Sequence, residues 1–89
     1  MKKQNFEAVI SDGINRNKCF LCVKIATEGN PAPEIIINPS ENYKQKLAYY
    51  RKAYDESMEL ISAKQHGKSV KIIDVIMTNN LNDLHAFIV

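Results

Sequence analysis

The chain has 89 residues, 12 Lys and Arg against 10 Asp and Glu, and a hydrophobic fraction of 45%. That is enough for one domain, residues 1–89, with a single modest core. The net charge of +2 falls short of the electrostatic footprint of a dedicated nucleic-acid binder.

Residues 6–10 read either as a strand, a fourth one in the sheet, or as a short helix. The opening "MKKQNFEAVISDG" is basic, but its apolar part is short and cut by Glu7, so a secretory signal is not expected. Residues 19–26 are mostly apolar, broken only by Lys24, and read as a strand. Gly29, Pro31 and Pro33 then mark a reversal, and residues 34–38, "EIIIN", form a second strand paired to the first as an antiparallel hairpin.

The segment "INPSE" reads as a helix start, with Asn38 as cap, Pro39 in the first turn and Glu41 completing a capping box. Beyond it Tyr43, Leu47, Tyr50, Tyr54, Met58 and Ile61 recur at spacings of three and four. The expectation is one long amphipathic helix over about residues 39–65, closed at Gly67 after the cations Lys64 and His66. Residues 69–78 read as a third strand, whose lack of clean alternation suggests cover on both faces. Residues 80–89 read as a short C-terminal helix capped by Asn80, with Leu81, Leu84, His85 and Ile88 on one face; a last strand is the alternative. The fold class is therefore α+β: a small sheet of three or four strands, mostly antiparallel, with one long helix across a face.

Few residues advertise chemistry. Cys19 and Cys22 have C-x-x-C spacing, but on a strand residues three apart point to opposite faces and cannot share a metal or close a disulfide. With His66 and His85 they match no zinc-site spacing, so buried apolar thiols and no metal are expected. Asp74, inside "KIIDVIMT", is an unusual strand carboxylate: either an acid in a pocket or a charge that guards a sheet edge. Lys44, Lys46, Tyr49, Arg51 and Lys52 crowd one half of the helix in the basic-and-aromatic manner of single-strand nucleic-acid contacts. Arg51–Asp55 and Lys52–Glu56, as i,i+4 pairs, give the alternative of a solvated, ion-paired face. Phosphate-binding glycine motifs, nucleophile elbows and H-E-x-x-H are absent from the sequence.

No stretch reaches the roughly 18 apolar residues of a membrane span. Two cysteines make no disulfide scaffold, so the cytoplasm is the expected compartment. Lys in excess of Arg, with abundant Ile and Asn, points to an AT-rich coding sequence of bacterial or phage type. The functional expectation is a non-enzymatic interaction module without cofactor, binding another protein or itself as a homodimer. Nucleic-acid binding through the basic helix half is the alternative, and a ligand-binding domain or small enzyme using Asp74 a third.

Overall fold

The N-terminal ambiguity resolves to helix. Lys3–Asn15 form α1, with Phe6, Ile10 and Gly13 on its buried side at helical spacing. This removes the four-stranded option among residues 1–88, which are those that the structure, a computed structural model, describes.

The sheet consists of β1 (Phe20–Thr27), β2 (Glu34–Asn38) and β3 (Val70–Thr78), ordered β2-β1-β3. The expected hairpin is present, with Leu21 opposite Asn38 and Ile25 opposite Glu34. β3 is also antiparallel to β1, so the two outer strands run parallel and the chain between them passes across β1.

One sheet face carries Leu21, Val23, Ile25, Ile36, Ile72, Val75 and Met77, which pack with Phe6, Ile10, Leu47, Tyr50, Tyr54 and Met58 into the main core. Sequence alternation in β3 fails for a reason other than double burial. The register shifts between Lys24 and Ile25, which face Asp74 and Ile72, so Ile73 is an extra, bulged residue. Ile72 and Val75 therefore both reach the main core although they are three apart.

The long helix over residues 39–65 is not formed. α2 spans Tyr43–Ala53 and α3 only Ile61–Gln65. Asn38 is not a helix cap; it ends β2, and its buried amide donates to the Leu21 carbonyl and the Tyr50 hydroxyl. Pro39 instead opens a turn whose carbonyl accepts from the Asn42 and Tyr43 amides, and Asn42 precedes α2 without a side-chain cap.

The helix breaks at Tyr54, which is extended. There the Asp55 carboxylate accepts the Ser57 and Glu59 amides, a local alternative to the helical ladder. Met58 takes a left-handed backbone (φ 57°), which turns the chain so that residues 58–60 lie along the outer edge of β3. The Leu60 amide bonds the Val70 carbonyl and the Ile72 amide bonds the Met58 carbonyl. The apolar stripe survives the break: Tyr54 and Met58 are buried, though not as helix residues, while Ile61 is exposed. The expected cation near Gly67 now closes α3, with Gly67 at φ 72°.

Neither expected i,i+4 pair within the long helix exists. Asp55 pairs with Lys64 at 2.8 Å, and Arg51 pairs with Glu7 of α1. Lys64 together with the two backbone amides holds the Asp55 carboxyl down at about 2, against its ordinary 3.8. A depressed folded-state value stabilises the protein above the ordinary pKa and ceases to do so as pH falls through the lower one. The thermal midpoint is therefore expected to drop between pH 3.8 and about 2 in part through this turn. Comparing wild type with Asp55→Asn by scanning calorimetry checks it: the variant should show a smaller drop over that window.

Asn80 caps the C-terminal turn as read, its side chain accepting the Asn82 amide at the start of a 3-10 turn, Leu81–Asp83. α4 (Leu84–Ile88) follows. Its buried side is Leu84 and Phe87, not the expected stripe, since Leu81 and Ile88 are exposed. Val89, the last residue of the segment expected to be helical, lies outside the described residues. No helix is long and apolar enough to cross a membrane among the described residues.

Candidate interaction surface

The second sheet face carries Phe20, Cys22, Ile35 and Ile76, and α4 lies over it through Leu84 and Phe87. The latch that holds α4 there starts at the end of β3. The buried Thr78 hydroxyl donates to the Asp83 carboxylate and accepts the Asn80 amide at 3.0 Å. Lys24, on the same face, places its ammonium 5.6 Å from the centre of the Phe87 ring.

A five-residue helix covers only part of this face. Ile37 of β2 is 43% exposed and Ile88 of α4 is 59% exposed. The same strand forms an open sheet edge, because β1 is β2's one ladder partner among the described residues. The opposite edge, on β3, is treated differently: residues 58–60 pair along its first part, and the bulge at Ile73 distorts its middle.

Asp74 stands at an exposed position on the second face, directly across the ladder from Lys24. Its Oδ1 accepts the amide of Val75 at 2.8 Å, so part of its capacity is used locally. It borders a shallow groove with Asp83, Ile76 and Phe87, open to solvent.

The basic residues separate into two groups. Arg51 forms a two-point bond with Glu7, at 2.7 and 2.6 Å, and is thereby taken out of a free cationic surface. The pairing lowers the Glu7 pKa and raises that of Arg51. Lys3 of α1 reinforces this contact by donating to the Arg51 and Tyr54 carbonyls at the end of α2. Lys44, Lys46 and Lys52 are exposed; Lys46 sits 5.8 Å from the centre of the half-exposed Tyr49 ring. Tyr49 and Lys52 also border a shallow, mainly apolar groove against Ile61 of α3. The sequence contained no sign of the roles of Glu7 and Lys3, since both depend on α1 lying beside α2.

The cysteines divide as well. Cys22 is buried and burial pushes its thiol pKa up, as expected of an apolar core thiol. Cys19 is exposed, against the expectation that both are buried, because it precedes β1, where its amide bonds the Asn79 side chain. Among the described residues, no three His, Cys, Asp or Glu side chains are grouped to hold a metal ion. No protein-family model, no curated protein and no solved structure matches the chain.

Proposed function

We propose that the protein is a small interaction module that works by binding protein, its own chain included, and not by catalysis. The observation that carries this reading is the asymmetry of the sheet. One face is sealed by α1, α2 and the segment through Met58, while the other is covered, among the described residues, by α4 alone and leaves Ile37 open on a strand whose outer edge is unpaired. Apolar side chains gathered beside free ladder groups are a common form of contact surface.

Nucleic acid is the second reading, supported by Lys46, Tyr49 and Lys52 on α2. The commitment of Arg51 to Glu7 reduces the phosphate contacts available to it, so such binding would be weak and strongly salt-dependent. A ligand-binding or catalytic role for Asp74 has less support, since it lies across the ladder from Lys24, its Oδ1 accepts the Val75 amide, and the groove it borders with Asp83 is open to solvent.

Light scattering over a micromolar concentration series tests the leading reading. The expected result is a mass that rises with concentration from one chain toward two. A mass of one chain throughout would remove self-association and leave the second reading ahead.

A further inference from the structure

The surface that would join two chains can be specified from β2 and its flanks, resting on the reading of the protein as a self-binding module. The segment runs Pro33, Glu34, Ile35, Ile36, Ile37, Asn38, Pro39. It is symmetric about Ile36 in chemical type: proline at each end, a polar residue inside each proline, and three isoleucines in the middle. β2 itself is Glu34–Asn38, so the two prolines bracket the whole strand.

We propose that two copies of this chain pair antiparallel along the outer edge of β2, about a two-fold axis through Ile36. In that register Ile36 faces the second copy's Ile36, Ile35 faces its Ile37, and Glu34 faces its Asn38. The prolines then face each other at both ends, where missing N–H groups stop the ladder in both chains at once. The two three-stranded sheets become one continuous six-stranded sheet.

Side chains support the same register. Ile35 and Ile37 both lie on the second face, since they oppose Lys24 and Cys22 of β1. Two-fold pairing brings four isoleucines together there, and Ile35 already packs against the Cys22, Leu84 and Phe87 cluster. The axis thus extends an existing apolar cluster across the interface and covers the 43% exposed Ile37. No charge opposes a like charge, because Glu34 meets Asn38.

The contrast with the other edge favours β2 as the site. On β3, residues 58–60 occupy the start of the edge and Ile73 bulges from its middle, both of which obstruct strand addition. Between its prolines β2 has neither a bulge nor a lysine. A closed, isologous pair uses each free edge once, so it ends at two chains. Five residues per strand make a small interface, in the size class of weak or transient pairs.

The test combines cross-linking with mass measurement on the full chain. In a Cys19→Ser background, which removes the exposed native thiol, Ile36→Cys places two thiols on the axis. Directly opposed residues have Cα atoms about 4.5–5.5 Å apart, within disulfide reach. Mild oxidation should give a covalent dimer in high yield. Glu34→Cys in the same background is the control: the two copies of residue 34 would be about 13 Å apart along the strand and should not link. Independently, Ile37→Lys puts two cations into the isoleucine patch at a position already partly exposed, so the fold should survive, as circular dichroism would confirm. It should weaken dimerisation at least about tenfold in light scattering, a shift of about 1.4 kcal/mol.

A dimer that fails to link at position 36 and is unmoved by Ile37→Lys overturns this edge while sparing self-association. Linking at position 34 as fast as at 36, or growth past two chains, overturns the two-fold register. A wild-type chain that stays monomeric overturns the self-binding reading together with it.

Discussion

Phe6→Ala is expected to lower the unfolding free energy by about 3–5 kcal/mol, the range for truncating a fully buried aromatic. Phe6 is 0% exposed and meets Tyr50 of α2 edge-on, with ring centres 6.3 Å apart. The same ring belongs to the cluster that includes Leu21, Val23, Ile72 and Val75 of the sheet. Removing it opens a void where α1, α2 and the sheet converge, and none of these layers can close it without moving the others. A domain of this size has about 5–13 kcal/mol of stability to lose. Chemical denaturation at fixed protein concentration measures the change, the concentration being held because self-association would itself shift the midpoint. A loss below about 1 kcal/mol would mean that α1 is not part of the core.

The second large effect comes from adding one methyl group. At an exposed helix position Gly→Ala stabilises by about 1 kcal/mol, because glycine is the freer residue in the unfolded chain. At Gly13 the opposite sign is expected, a net loss of about 1–3 kcal/mol from overpacking. Gly13 is the point where α1 comes down on β3, and a Cβ there would lie 2.5 Å from both the Cβ and Sδ of Met77 and 2.9 Å from its Cγ. The sulfur end of Met77 can swing away, but its Cβ is fixed to the strand backbone. Met77→Ala added to Gly13→Ala should therefore restore only part of the loss. Full restoration would show that α1 and β3 can move apart at little cost. No change in the single variant would show that they are not in close contact at all.

The hairpin, the third strand and the short C-terminal helix were legible because their signals are local. Gly29, Pro31 and Pro33 force the reversal, the β-branched run at 34–38 is too short for a helix, and Asn80 caps the turn before α4. Burial of Leu47, Tyr50, Tyr54 and Met58 was legible too, as a stripe of apolar residues at helical spacing.

That stripe was not enough to establish one continuous helix. Residues 54–60 leave the helix because Asp55 can satisfy two backbone amides by itself and because the edge of β3 offers ladder partners to Met58 and Leu60. The first of these is a local possibility that helix formation competes with. The second exists only once β3 is in place, and residues ten or more positions away supply it.

For the candidate surfaces, the division runs along the same line. The sequence by itself determined which residues carry charge, which segments are apolar, and the symmetric seven-residue run from Pro33 to Pro39. Only the tertiary structure decided how those assets are used. It set Arg51 against Glu7 across two helices, left Cys19 outside while burying Cys22, and placed Asp74 opposite Lys24 through a bulge that alternation cannot reveal. It also decided that β2 keeps its whole outer edge open while residues 58–60 occupy the first part of β3's, since that depends on sheet order and on where those residues settle. Propensity and spacing act between residues near in sequence, whereas strand order, edge cover and ion-pair choice arise from contacts between distant segments.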